Sequence, residues 1–171
     1  MIQTYSTTIR RKEMDAVLTC MVDEKIGPGE LNSKLIQQVK EFTKCDGAVA
    51  LRSPAIALKY ALLALDLEIG SKIIISALAP AWQYKEIVSL GYEPLIVDVE
   101  DSTGLMDPLK LQIGVQQGGK LLLLHETEGI LPDFDKIADL GIPVIEDISH
   151  SAGASVPVKD EDGNVTEQRK L

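Results

Sequence analysis

Residues 141–154 read Gly-Ile-Pro-Val-Ile-Glu-Asp-Ile-Ser-His-Ser-Ala-Gly-Ala, and no other stretch says as much about the fold. The apolar run Ile142 to Ile145 predicts a short buried strand, which delivers the acid pair Glu146-Asp147 to its carboxyl end. In open α/β sheets, ligands bind at the carboxyl ends of the strands. A carboxylate placed there must be paired, hydrated or bound to a cation. The stretch therefore predicts an α/β protein with a candidate site directly after this strand.

The rest of the chain alternates short aliphatic strands with helices, which predicts βαβ units and a mostly parallel sheet covered on both faces. After Val158 the chain turns polar, and Lys159 to Asn164 predicts a turn with no further strand. The expected strands are residues 48–51, 72–77, 94–99, 120–125 and 143–148. The expected helices are residues 9–23, 33–44, 54–70, 82–90, 107–113 and 133–140.

Composition restricts the possible partners. A chain of 171 residues with 45% hydrophobic residues suits one domain with a sizeable core. The net charge of −9 argues against nucleic acid or an anionic membrane as a partner. Cys20 and Cys45 form no CxxC pair, and two histidines with two scattered cysteines make a metal site improbable. No signal peptide or membrane span is evident, so we expect a cytoplasmic protein.

Five pieces in order, spanning about residues 2 to 157, resemble the N-terminal half of the large domain in the DegT/DnrJ/StrS family of pyridoxal-phosphate (PLP)-dependent, fold-type I sugar aminotransferases. Gly27-Pro28 resembles the family's "GP" entry, and residues 48–58 line up with its "AVAVSSGTAAL". Residues 90–99 are close to "LGATPVFVDV". His125 followed by residues 132–135 is similar to "H…G…ADMD", and residues 143–154 are close to "PVIEDAAQAHGA".

The resemblance implies an α/β, three-layer PLP-transferase-like large domain with a mostly parallel sheet, incomplete because the later strands and the small domain are absent. Residues 1–158 would form this partial domain, with N-terminal helices in 1–47 and strand–helix alternation in 48–158, followed by a polar tail, 159–171. The first strand, 48–51, would pair with strands supplied after residue 171, and unpaired buried backbone is costly. The resemblance thus implies a homo-oligomer or a missing C-terminal half.

The resemblance also implies an ancestral PLP site at the carboxyl ends of the strands. Asp147 would keep the ring nitrogen protonated, as PLP requires to act as an electron sink. The alternative is a turn or cap acid at a strand end. His150 would contact the ring hydroxyl, although a loop histidine bonded to backbone explains it as well.

Residues 53–56 would hold the phosphate at a helix N-terminus. Ser53 and the N–H groups of Ala55 and Ile56 remain, but Pro54 replaces the family's glycine and has no N–H. Ala55 replaces the family's threonine and lacks its hydroxyl. An ordinary serine-capped helix start with proline at the first helical position explains the same residues.

The stacking position and the lysine also depart from the family. Pro80 aligns with the stacking aromatic residue, and Trp82 lies two residues later, where it could stack on the ring or simply pack in the core. The Schiff-base lysine of the family lies beyond residue 171. Lys159 and Lys170 lie in a hydrophilic segment, which does not lower a lysine pKa, so the sequence identifies no catalytic residue.

Three functions remain open from the sequence. The first is the N-terminal part of an active enzyme that transfers an amino group from an amino acid to a nucleotide-linked keto-sugar. The second, which the altered phosphate and stacking positions favour, is a sugar-aminotransferase-like domain not self-sufficient for catalysis. The third is a structural or assembly module without a ligand.

Overall fold

The computed structural model describes residues 8–159 and 165–170, with side chains described for residues 8–157. The chain divides into two compact units, Met1–Ala50 and Leu51–Leu171. No helix in the described ranges is both long enough and apolar enough to cross a membrane.

The first unit contains two helices, α1 (Arg11–Val22) and α2 (Glu30–Thr43). Both were predicted, and Gly27-Pro28-Gly29 separates them as expected. Helix α2 begins three residues earlier than predicted because Gly29, in extended conformation, precedes its first turn. Neither helix contains a buried residue, and Leu18 and Leu35 are each about half exposed. The apolar stripes that mark these helices in the sequence are therefore mostly exposed.

The second unit contains a four-stranded parallel sheet in the order β2-β1-β3-β4. Its strands are β1 (Lys72–Ser76), β2 (Glu93–Val97), β3 (Gly119–His125) and β4 (Val144–Asp147). Its helices are α3 (Pro54–Ala64), α4 (Ala81–Ser89), α5 (Pro108–Gln116) and α6 (Phe134–Ala138). These eight elements match the predicted ones to within a few residues, except that α3 and α6 end earlier than predicted.

Alternate residues of the central strands point to two separate cores. Ile73 and Ile75 of β1 pack with side chains of α3 and α4, such as Leu62 and Ile87. Ile74, between them, packs on the opposite face with residues of α5 and α6. Side chains of successive strand residues point to opposite faces, so a strand with helices on both sides must be apolar throughout. The predicted three-layer α/β arrangement is confirmed.

Two predictions about strands are wrong. Residues 48–51 are not a strand: they take no part in the described sheet, and a strand requires a hydrogen-bonded partner. Beyond β4, where no further strand was predicted, β5 (Ser155–Lys159) and β6 (Val165–Lys170) form an antiparallel pair. Because this segment is rich in charged and polar residues, its sequence pattern did not predict strands. The predicted turn lies, except for Lys159, outside the described residues.

Candidate active site at the carboxyl edge of the sheet

The register of the sheet brings two ionisable side chains together. Strands β3 and β4 are parallel, and His125 is the direct partner of Asp147 at the last position of both strands. The strands therefore end level with each other, and both side chains lie at the edge where α/β proteins bind ligands. His125 is 5% exposed and Asp147 is 15% exposed, so both side chains are largely shielded from water.

The two carboxylate oxygens of Asp147 have different partners. Oδ1 accepts hydrogen bonds from the Ser149 backbone N–H at 3.2 Å and from the Ser149 hydroxyl at 2.6 Å. Oδ2 accepts a hydrogen bond from Gln83 Nε2 of α4 at 2.6 Å. His125 Nδ1 lies 3.4 Å from Oδ2, but not in hydrogen-bonding alignment. One oxygen thus makes the turn that follows β4, as the structural alternative expected, and the other belongs to a side-chain network.

This environment keeps Asp147 ionised. The neighbouring His125 imidazole, together with the two bonds from Ser149, lowers the pKa of Asp147 from its ordinary 3.8 to about 2, although burial alone would raise it. His125 dominates despite the imperfect alignment because a close imidazole favours the carboxylate both as a donor and, when protonated, as a charge. At neutral pH the edge of the sheet therefore carries a fixed negative charge, which suits a cation or a charged N–H donor.

A cleft of about 260 Å³ opens beside Asp147. Leu123 and Ile145 of the sheet contribute to its lining, together with apolar residues of α3, and Trp82 and Gln83 come from α4. Trp82 is partly buried and also packs against the core of this face of the sheet. Trp82 is therefore a packing residue that also lines the cleft.

The N-terminus of α3 is capped by its own residues. Ser53 Oγ accepts a hydrogen bond from the Ile56 N–H at 3.3 Å, and Pro54 is the first helical residue. The predicted cap is confirmed, but the expectation that the Ile56 N–H remains for a ligand is wrong. The Ala55 N–H, at the second helical position, has no intrahelical acceptor and points out of the helix end. Pro54 lines the cleft, so this helix end borders it.

His150 lies in the turn after β4 and is exposed. Its ring meets the His125 ring edge-on, with centroids 5.5 Å apart and planes at 64°. His150 is therefore linked to Asp147 through His125.

Three polar residues near this edge were not predicted as site residues. Gln83 is fully buried, and so is Glu126, which follows β3 and accepts a hydrogen bond from the Ser151 hydroxyl. Glu126 could have been predicted as a site residue, because it is an acid that directly follows the very apolar strand β3. Gln83 gave no such signal, because a single polar residue in a helix is normally exposed. Ser149 gave none either.

The described part of this site contains neither a lysine in the cleft nor a cluster of side chains that could hold a metal ion. No lysine lines the cleft among the side chains of residues 8–157. The same range holds no group of three His, Cys, Asp or Glu side chains arranged to bind a metal ion. The side chains of Lys159 and Lys170 lie outside the described ones.

Known proteins share this architecture. An aminotransferase from Psychrobacter cryohalolentis superposes with a TM-score of 0.82 at 21% identity, over 95% of this chain and 42% of that one. A Streptococcus pneumoniae protein assigned as a sugar aminotransferase, in its PMP form, gives 0.83 at 21% identity, over 96% and 46%. GDP-4-keto-6-deoxy-D-mannose-3-dehydratase of E. coli, with bound hydrated PLP, gives 0.78 at 22% identity, over 91% and 42%.

At these identities the solved structures show the fold alone, and the chain spans less than half the length of each. The family itself is shown by the sequence, because the model of the DegT/DnrJ/EryC1/StrS aminotransferase family matches residues 7–161. The chain therefore belongs to the DegT/DnrJ/EryC1/StrS aminotransferase family.

Proposed function

We propose that this chain is a sugar-aminotransferase-like domain that supplies the ring-binding side of a PLP site and does not by itself catalyse transamination. One observation carries the proposal. Asp147, ionised at neutral pH, lies at the end of an apolar cleft and is held by hydrogen bonds from two other residues, Ser149 and Gln83.

The residues around the cleft fit the ring of PLP. Asp147 would hold the ring nitrogen, Trp82 would lie along the ring, and His150 would reach the ring hydroxyl. When bound, PLP supplies an electron sink, provided that its ring nitrogen is protonated. An anionic carboxylate in a partly desolvated cleft favours the protonated form of a neighbouring nitrogen. Asp147 would thus orient the ring and keep a proton on its nitrogen, while the apolar walls of the cleft would exclude water.

The residues at the phosphate end fit less well. Ser53 and Ala55 complete the proposed site, but the serine side chain already caps the Ile56 N–H, and Pro54 has no N–H to offer. The Ala55 N–H is the donor that stays available. We therefore propose that PLP binds this chain weakly, mainly through its ring.

The lysine for transamination is proposed to come from outside the described residues, either from further sequence or from another subunit. This chain covers less than half of each of these solved structures, which supports this view. The same observation favours one alternative. In that alternative the chain is the N-terminal part of an active enzyme that transfers an amino group from an amino acid to a nucleotide-linked keto-sugar. Assembly as a homodimer in the cytoplasm belongs to the same proposal.

Two measurements on the 171-residue chain test the proposal. Pyridoxamine 5′-phosphate should bind weakly and reversibly by calorimetry, and Asp147→Asn should abolish most of that binding. Asp139→Asn, which changes an exposed aspartate after α6, should leave it unchanged. After incubation with PLP and reduction with borohydride, peptide mapping should find no stoichiometric adduct on a single lysine. An adduct on one residue, especially Lys159 or Lys170, would overturn the proposal. An affinity that Asp147→Asn leaves unchanged would overturn it as well.

A further inference from the structure

Gln83 is a buried side chain with one half of its amide unused. It lies in the first turn of α4 and is 0% exposed. Its Nε2 donates to Asp147 Oδ2 at 2.6 Å, whereas its Oε1 is buried without a hydrogen-bond partner among the described residues. A buried acceptor without a donor is costly and uncommon in folded proteins. The unpaired oxygen therefore needs an explanation.

The charge of Asp147 fixes which way this amide points. An ionised carboxylate only accepts hydrogen bonds, so it must face the NH₂ group of Gln83 and not the carbonyl oxygen. The opposite orientation would place two acceptors 2.6 Å apart. The unpaired atom is consequently Oε1, one amide width from the bond to Asp147, on a residue that lines the cleft.

We propose that Gln83 is a positioning residue for Asp147, and that its Oε1 forms with the Asp147 carboxylate a pair of acceptors that selects the protonated form of a heteroaromatic ring in the cleft. This inference rests on the proposed function. A ring nitrogen that carries a proton presents a donor to this acceptor pair. An unprotonated nitrogen presents a lone pair to it, which is repelled.

Four other titratable groups surround this pair. His125 approaches from β3, His150 stands edge-on behind it, Glu146 lines the cleft, and Glu126 is buried after β3. The residues of α3 and α4 that line the cleft are uncharged. Because these four groups can also change the local charge, the informative quantity is the difference between the wild-type chain and a Gln83 variant that keeps all four of them.

The ligand for the test is 4-deoxypyridoxine 5′-phosphate, which keeps the ring nitrogen but has no aldehyde and so cannot react with a lysine. Its affinity for the wild-type chain should fall with rising pH as the ring loses its proton. Gln83→Leu, and Gln83→Met as a second variant of similar length, should bind about ten- to a hundredfold more weakly when the ring is protonated. Their affinities should also depend less on pH. Gln112→Leu, on the exposed side of α5, is the matched control and should bind as the wild type does.

A measurement without ligand separates the two parts of the proposal. Carbon-detected NMR of the Asp147 carboxyl group should show its pKa higher in Gln83→Leu than in the wild type, because the 2.6 Å bond from Nε2 favours the ionised carboxylate. An unchanged pKa overturns the positioning role. If the wild type binds the analogue and the Gln83 variants bind it equally well with the same pH dependence, the selection of the protonated ring is wrong, while the proposed function stands. If the wild type binds no analogue, the proposed function and the selection both fail, and the NMR result decides the positioning role alone.

Discussion

The two ends of the cleft differ in how far their polar groups are satisfied by the protein itself. We call the end of the cleft at Asp147 and Gln83 the ring end. There, residues of α4, of β3 and of the turn after β4 contact Asp147, and Gln83 Oε1 has no hydrogen-bond partner among the described residues. We call the other end, at the start of α3, the phosphate end. There, Ser53 caps α3 and Pro54 is its first residue. The ring end therefore retains capacity for a ligand, whereas the phosphate end is close to an ordinary helix start.

Because of this difference, substitutions at the two ends should have different effects on stability. Replacing a glycine by proline and a threonine by alanine at a helix start removes phosphate donors without disturbing the sheet. Losing the Asp147 network would leave an uncompensated charge at the end of β4, which costs stability as well as binding. We therefore expect substitutions at the start of α3 to cost less stability than substitutions in the Asp147 network.

The largest expected effect comes from restoring the phosphate end. Pro54→Gly together with Ala55→Thr returns one backbone N–H and one hydroxyl to the start of α3. A hydrogen bond to a charged group contributes roughly 1.5–3 kcal/mol, so the double variant should bind pyridoxamine 5′-phosphate about two to four orders of magnitude more tightly. Calorimetry at fixed ionic strength measures the change.

The double variant also tests whether the ring end contributes to the affinity for pyridoxamine 5′-phosphate. Adding Asp147→Asn to the double variant should remove much of the gain. Pyridoxamine without its phosphate is the control ligand, and its affinity should not change. If the double variant binds the phosphorylated ligand no better than the wild type, the ring end is not a usable half-site. Asp147 would then be only the turn residue that its bonds to Ser149 allow.

A smaller effect is expected on stability at acid pH. The pKa of Asp147 is lowered to about 2 by His125 and Ser149, so its stabilisation is complete above its ordinary value of 3.8 and is lost as the pH falls toward 2. The loss should reach at most about 2 kcal/mol of unfolding free energy. Urea unfolding of the wild type and of Asp147→Asn at several pH values measures it.

The informative quantity is the difference between these two proteins. Other carboxylates with lowered pKa values, such as Asp98 and Asp133, titrate in both and cancel. The stability advantage of the wild type should shrink as the pH falls from about 4 to about 2. An advantage that is constant across this range would show that the pKa of Asp147 is not lowered in the folded chain, and the comparison between the two ends would lose its electrostatic basis.

Much of the second unit was predictable from local pattern. Runs such as Leu121 to Leu124 are apolar at every position, as buried parallel strands require, and Ser53-Pro54 marks a helix start. The acid at 147 was predictable because it follows such a strand. Its pairing with His125 was not, since it depends on the register of β3 against β4, which pattern alone does not give.

The remaining features depend on tertiary contacts. Gln83 lies 64 residues from Asp147 in the sequence, and its burial follows from how α4 packs on the sheet. The segment 48–51 has an apolar pattern that suits a strand, but it finds no partner in the described sheet. Strands β5 and β6 have weak individual patterns and are stabilised by pairing with each other. In each case the local sequence was overridden by the presence or absence of a distant partner.

The smallest expected effect decides whether the start of α3 is only a cap. Ser53→Ala removes the bond to the Ile56 N–H and should lower stability by about 1 kcal/mol. Ser53→Asp keeps a capping acceptor and should restore that stability, but it adds a negative charge where a phosphate would bind. Asp107→Ala is the matched control, because Asp107-Pro108 begins α5 with the same kind of cap and does not line the cleft. Since the Ile56 N–H is already used, we expect Ser53→Asp to weaken pyridoxamine 5′-phosphate binding by less than about tenfold. A much larger loss would show that this helix end still holds phosphate, and the two ends of the cleft would then be equally functional.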